Sequence, residues 1–182
     1  MTASDLSVQE VERAKGEASQ RQLKLEFSVA DMRTAFSHHH RQFDLVIACD
    51  NAIPHLLTDT DILNAFEQFY LCTKPGGACL ISVRDYDREE RRGVQVKPYG
   101  LRVEGQTRYL VFQVWEFHGL IYDLAMYFVE DRGGSDCLTH VVRTQYYAVG
   151  IDRLIALMTQ AGFREVQRLD GRLHQPVIIG RR

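Results

Sequence analysis

Phe43-Asp44-Leu45-Val46-Ile47-Ala48-Cys49-Asp50-Asn51 is the stretch that decides the fold. From Phe43 to Cys49 it is almost continuously apolar and then breaks at an acid and an amide, as a strand covered on both faces does. Downstream, Thr58 and Asp61 form a helix-start pattern. Ile62, Leu63, Phe66, Phe69 and Tyr70 then line one side of a helix that stops before Lys74-Pro75-Gly76-Gly77. Ala78 to Val83 is the next buried strand. Upstream, Leu23, Leu25, Phe27 and Val29 alternate with polar residues, which predicts a strand with one face more exposed. A short polar helix or turn follows Asp31. Earlier still, Thr2 to Ser4 make a strand stub ending at Asp5. Ser7 with Glu10 then reads as a capping box opening a helix that carries Val8, Val11, Ala14 and Ala18. This β-α-β-α-β order requires a parallel sheet with right-handed crossovers.

The pattern changes after the connector Arg88 to Arg92, which reads as a solvated charge run. From Gly93 to about Val149 the chain is β-rich, and Leu110 to Phe117, Leu120 to Val129 and Thr139 to Val149 read as antiparallel strands with glycine-containing turns. A last amphipathic helix carries Leu154, Ile155, Met158 and Ala161 and ends at Gly162. Two strands follow, Glu165 to Leu169 and Pro176 to Ile179. The expected class is α/β with an antiparallel insertion before the last helix. It is expected as one domain: residues 1–92 a cofactor half, 93–149 a substrate-side insertion, and 150–182 the terminal helix and strands.

Composition narrows the function class. The 182 residues suffice to bury a sizeable core, and 45% apolar with 25% charged residues is ordinary for a globular protein. A formal net charge of -2 gives no reason to expect nucleic acid as a partner. No apolar run approaches the roughly 18 residues that would span a bilayer, so no membrane association is expected. The start of the chain has no basic region followed by an apolar stretch, so a secretory leader is not expected. Cys49, Cys72, Cys79 and Cys137 include no CxxC pair; buried free thiols in a reducing cytoplasm are the expectation, and a zinc site is not. His38-His39-His40 lies in a polar stretch and reads as a solvated loop rather than a metal site.

An open α/β sheet binds its ligand at the carboxyl ends of its parallel strands. The residues there are Asp5, Asp31, Asp50-Asn51 and Arg84-Asp85-Tyr86. Each alone has a structural reading: Asp5 and Asp31 as turn or cap residues, Asp50-Asn51 as turn formers, Arg84 as a surface ion pair. Together, on successive strand ends, they point to a site, because an acid after the second strand of such a sheet commonly holds a ribose diol.

These motifs carry a family resemblance. Ser4-Asp5-Leu6-Ser7 with Val11-Glu12-Arg13-Ala14, and Val29-Ala30-Asp31-Met32-Arg33, resemble the second-strand acid and adenine-contacting region of class I S-adenosylmethionine-dependent methyltransferases. Asp50-Asn51 followed by Pro54-His55-Leu56-Leu57, then Lys74-Pro75-Gly76-Gly77 and Ser82-Val83-Arg84-Asp85-Tyr86-Asp87, resemble the glycine/sarcosine N-methyltransferase branch, as does Gln175-Pro176-Val177-Ile178. The resemblance covers most of residues 2–87 and the rest more loosely. It implies a Rossmann-like fold, S-adenosylmethionine as cofactor and a small amino acid or amine as substrate. It assigns Asp5, with Leu6 beside it, to the ribose, Asp31 and Met32 to the adenine, and Asp50 to the cofactor side of the third strand end. Arg84, with Tyr86, matches the holder of the substrate carboxylate, and Asn51 lies beside the substrate amine. His55 either orders the same turn next to the chemistry or bonds only to loop backbone. Trp115 reads as core or as a wall of the site. Methyl transfer of this kind needs nucleophile, methyl and sulfur held in line, and requires neither a metal nor a Ser-His-Asp set.

One element of the family pattern falls outside these motifs. The first strand and its glycine-rich loop are expected upstream of Met1, between the second and fourth strands of the sheet. That expectation makes the chain an N-terminally truncated form: a fragment, a degenerate non-catalytic paralogue acting in binding or assembly, or a sheet that closes the gap directly or with a partner's strand. A gap of unpaired buried backbone groups costs about 1–3 kcal/mol for each group. A homo-oligomer is accordingly an expectation.

Overall fold

The computed structural model describes residues 1–182. The apolar run at Phe43 is strand β3 (Phe43–Ala48), and it pairs in parallel with β4 (Thr73–Ser82), Val46 opposite Cys79 and Ile47 opposite Leu80. Helix α3 (Asp59–Cys72) makes the crossover between them. Thr58 caps it, its hydroxyl accepting from the Asp61 N–H at 3.1 Å. β4 begins earlier than the sequence suggests, because Lys74-Pro75-Gly76-Gly77 is an irregular stretch of strand. Gly76 has a φ of +78°, and a Cβ on Gly77 would stand 2.8 Å from the Asp44 carbonyl oxygen, so the glycines let β4 approach β3.

Strands β9 (Arg164–Leu169) and β10 (Val177–Arg181) complete this sheet in the order β3-β4-β10-β9, with β10 antiparallel to both neighbours. Helix α4 (Ile151–Gln160) precedes β9. Between α3, α4 and one face of the sheet lies the main core, with Ile62, Phe66, Cys79, Ile81, Leu154, Met158 and Ile178 at 0% exposure. Fully burying each such side chain contributes about 1.5–3 kcal/mol.

Near the start, β1 (Thr2–Asp5) and β2 (Glu26–Val29) form a separate parallel pair joined by α1 (Val8–Gln20). The two pieces do not close by pairing β1 with β3. They are linked instead through α2 (Ala35–His39): His39 Nε2 lies 3.2 Å from Ser4 Oγ, and His38 Nε2 lies 2.9 Å from Ser28 Oγ. This corrects the reading of the histidine run as a loop. His38 and His39 end a short helix, His40 caps it at a φ of +48°, and no group of metal-ligating residues forms.

Other local expectations are corrected by where the chain packs. Leu45 and Ile47 are 51% and 57% exposed, so β3 is covered on the α3 face only, not on both. Cys49 and Cys137 are exposed, while Cys72 and Cys79 are buried free thiols. The capping box at Ser7 is half formed. Ser7 Oγ accepts from the Glu10 N–H, but the Glu10 carboxylate turns to Arg13 and the Ser7 N–H donates to Asp5. Val8 is exposed and only Val11 and Ala18 of α1 are buried; β2 omits Leu23 and Leu25.

The insertion is one antiparallel sheet of four strands rather than three: β5 (Val94–Glu104), β6 (Thr107–His118), β7 (Ile121–Asp131) and β8 (Cys137–Tyr147), paired in sequence order. Its inner face carries a second cluster, Tyr86, Trp115, Phe117, Tyr122, Leu124 and Ala148. No helix of the protein is long and apolar enough to cross a membrane.

Candidate functional site

The site grows from the turn after β3. Asp50 and Asn51 take positive φ values, 57° and 63°, a conformation that Asp and Asn tolerate better than most residues. The end of β4 holds them there: the Asp50 N–H donates to Ser82 Oγ at 2.8 Å and the Asn51 N–H to the Ser82 carbonyl at 3.0 Å. This turn buries the Asn51 side chain. Its oxygen accepts from the Arg84 N–H at 3.0 Å, and its Nδ2 donates to the Tyr86 hydroxyl at 2.8 Å. Tyr86 and Tyr122 share a hydrogen bond between hydroxyls at 3.0 Å. Sequence-distant strand ends are thereby tied to β7.

Aromatic rings extend the cluster. Tyr122 stacks on Tyr146 of β8 at 5.5 Å between centroids and packs against Trp115 of β6 at 5.0 Å. Tyr146 meets the His55 ring at 4.1 Å, and His55 Nδ1 is 3.4 Å from Thr144 Oγ1. His55 therefore ties its turn to β8 rather than to loop backbone. The Arg84 guanidinium lies 4.3 Å from the Trp115 ring centroid. Lys97 is also near that ring, 5.0 Å away, but Glu89 holds it at 2.9 Å. Arg84 has no carboxylate partner and its side chain donates no hydrogen bond within the protein. It is a half-buried, planar cation with its donors free.

Burial sets the protonation of the cluster. It pushes the Tyr86, Tyr122 and Tyr146 hydroxyls above the usual phenol range, so all three stay protonated at neutral pH. Burial also lowers His55 below the ordinary imidazole value, with Asp5 opposing it in part, and the ring is neutral at neutral pH. Removing the Tyr86 hydroxyl leaves Asn51 Nδ2 and the Tyr122 hydroxyl without their shared partner. Tyr86→Phe is expected to cost about 1–3 kcal/mol in urea unfolding. A cost below ~0.5 kcal/mol would mean that water replaces the hydroxyl and the chain is not closed.

The structure brings Asn51, His55, Arg84 and Tyr86 into one cluster, with Asp50 at its edge. Asp5 and Leu6 at the end of β1, and Asp31 and Met32 after β2, lie outside this hydrogen-bonded cluster, although the Asp5 carboxylate is near enough to act on His55. Asp5 accepts from the Ser7 N–H at 2.7 Å through one carboxylate oxygen and leaves the other without a protein partner. It borders a hollow of about 280 Å³ between β1 and α1, lined also by Ala3, Val11, Ala14 and Phe27. Asp31 caps a short 3-10 turn through the Arg33 N–H, and both its oxygens face the Arg33 side chain, which holds the carboxyl below its usual range. Leu6 is 69% exposed, while Met32 packs against the main core. Sequence reading missed Tyr122, Tyr146 and Thr144. Their alternation within strands was visible, but not that this face of the insertion folds onto the turn after β3.

Residues 1–77 match the family described as a methyltransferase domain. DesVI from Streptomyces venezuelae superposes with a TM-score of 0.81 at 16% identity, over 99% of this chain and 73% of that one. CalS10, an S-adenosylmethionine-bound amino pentose methyltransferase from Micromonospora echinaspora, superposes with a TM-score of 0.78 at 15% identity, over 98% of this chain and 72% of that one. The chain has the Rossmann-like fold of class I S-adenosylmethionine-dependent methyltransferases.

In sequence the chain is similar to the glycine/sarcosine N-methyltransferase of Parasynechococcus marenigrum (strain WH8102), 31% identical over 97 residues. That match takes in 53% of this chain but spans only about a third, 34%, of the relative.

Proposed function

We propose that this chain carries the acceptor site and part of the cofactor site of an S-adenosylmethionine-dependent N-methyltransferase acting on a small amino acid such as glycine or sarcosine. The observation that carries the reading is Arg84: a half-buried guanidinium stacked on Trp115, with no anionic partner, beside the buried Asn51–Tyr86–Tyr122 chain. A planar cation with free donors suits a carboxylate held bidentately. In this reading Asn51 lies beside the amine at the other end of so small a substrate, while Tyr86 and Tyr122, buried and bonded to one another, support it from within the protein. His55 acts as a positioning residue, setting Tyr146 and through it Tyr122.

The cofactor is S-adenosylmethionine, and when bound it supplies the electrophilic methyl group. The free oxygen of Asp5 suits a ribose hydroxyl, with Leu6 flanking it and Asp50 closing the side toward the acceptor. Met32 offers a thioether to the adenine face. Asp31 fits the adenine amine only by sharing its carboxylate with Arg33. The protein's own contribution is to orient the amine toward the methyl and to exclude water, since proximity and alignment supply most of the acceleration. Calorimetry with S-adenosylhomocysteine tests the pocket. Asp5→Ala is expected to weaken binding about tenfold or more, on the scale of a lost hydrogen bond to a charged group. Affinity unchanged in Asp5→Ala and in Asp31→Ala removes these residues from the cofactor site.

A second reading takes an amino sugar as acceptor. The stacked rings of Tyr122, Tyr146 and Trp115 offer a broad aromatic wall of the kind a sugar ring lies against, and CalS10 is an amino pentose methyltransferase. An amino sugar without a carboxylate leaves Arg84 unpaired, which is why the amino acid is preferred.

A further inference from the structure

The inner face of the β5–β8 sheet holds a buried polar side chain with no part in the site as described so far. Gln113 is 5% exposed and stands two residues before Trp115 on β6, on the same face. The strand register sets Lys97 on one side of it and Met126 on the other. Burying an amide costs free energy that an apolar side chain of similar size avoids, so the position calls for a reason beyond packing. The reason lies in one bond: Gln113 Oε1 accepts from the indole Nε1–H of Trp115 at 2.9 Å. An indole nitrogen only donates, so the amide oxygen must be the atom turned toward it.

We propose that Gln113 is a positioning residue for the acceptor site. By taking the indole N–H it fixes which way Trp115 lies, and through that ring it sets the Arg84 guanidinium. The inference rests on the reading of Arg84 as the holder of the acceptor's carboxylate. Packing on its own leaves the ring a choice. Trp115 lies against Phe117 and Tyr122, with centroids 6.3 and 5.0 Å away, but the outer torsion of an aromatic side chain is broad and roughly two-fold. The two flips are not equivalent to a cation, because the π density of an indole is concentrated over its six-membered ring. One acceptor at one edge selects between them. Two cations meet the result: the Arg84 guanidinium 4.3 Å from the ring centroid and Lys97 Nζ at 5.0 Å. Glu89 holds Lys97 independently at 2.9 Å, whereas Arg84 is in no ion pair and lies on the indole. Arg84 is therefore the cation that Gln113 governs. A bidentate grip on a carboxylate needs two donors aimed in one plane, so a flipped ring weakens that grip while leaving the charge in place.

Calorimetric titration of the full chain with sarcosine, in the presence of S-adenosylhomocysteine to prevent turnover, is the test. Gln113→Leu keeps the bulk of the side chain and removes the acceptor. It is expected to weaken sarcosine binding about tenfold, within the range that coupled neighbours show. Trp115→Phe has no N–H to hold, so in that background Gln113→Leu is expected to change the affinity no further. Trp115 is the protein's only tryptophan, so its fluorescence follows the bond directly, and the emission maximum is expected to move to shorter wavelength in Gln113→Leu. The same loss of affinity in both backgrounds means that Gln113 only packs, and overturns the proposal. An unchanged emission overturns it as well. So does full affinity in Gln113→Leu where Arg84→Ala has lost it, a result that leaves the acceptor reading intact. Wild-type protein that binds no sarcosine, or affinity unchanged in Arg84→Ala, overturns the acceptor reading itself and this inference with it.

Discussion

Arg84→Ala is expected to lower kcat/KM for glycine or sarcosine about 100-fold or more, chiefly through KM, while the melting temperature barely moves. Two features set the size of the effect. A fully paired, desolvated guanidinium–carboxylate contact costs about 2–5 kcal/mol when one partner is removed, and each 1.36 kcal/mol is tenfold in rate. Within the protein, by contrast, Arg84 has only its stack on Trp115 to lose, worth about 1 kcal/mol. The split between a large kinetic loss and a small structural one distinguishes a substrate-holding arginine from a packing one. Arg84→Lys keeps the charge but not the planar fork and is expected to recover only part of the loss. Steady-state kinetics with thermal melts of both variants checks this. A KM unchanged in Arg84→Ala means that the carboxylate lies elsewhere.

Phe66→Ala is expected to have the largest effect on stability. Phe66 lies in the middle of α3 at 0% exposure, with Phe69 at 6.3 Å and both core helices around it. Phenylalanine-to-alanine changes at such positions cost about 3–5 kcal/mol, through lost transfer energy and the cavity left behind. Against a total stability of about 5–15 kcal/mol for a domain, that is a large share. The effect reaches function, because α3 supports the face of β3 and β4 whose ends hold Asn51 and Arg84. Urea unfolding measures it, and a loss under ~1 kcal/mol would contradict the packing of α3 on the sheet.

The parts of this protein that local chemistry decides were legible in the sequence. Thr58 capping α3, the buried stripe from Ile62 to Phe69 and the glycines of the Lys74–Gly77 segment all depend on neighbours a few residues away. So did the position of Asn51 and Arg84 at strand ends, since an apolar run that stops abruptly names its own end. What escaped depends on distant elements. An apolar run says that β3 is a strand, but not that Leu45 and Ile47 face the side without a helix. Glu10 suits a capping box, yet Arg13 competes for it one turn along. The pattern of β5 was masked by Pro98 and Gly100, which sit where the strand has its irregularity. Tyr122 and Tyr146 joined the site only because the insertion folds back onto the turn at Asp50, which no spacing reveals.

The chemistry rests on one question, whether the free cation beside Asn51 and Tyr86 selects an acceptor that carries a carboxylate. Transfer of a radiolabelled methyl group from S-adenosylmethionine, offered glycine, sarcosine and an amino sugar without a carboxylate in parallel, answers it most directly. Label is expected in the amino acids alone. Label in the amino sugar, or in none of the acceptors by a protein that binds the cofactor, contradicts the assignment.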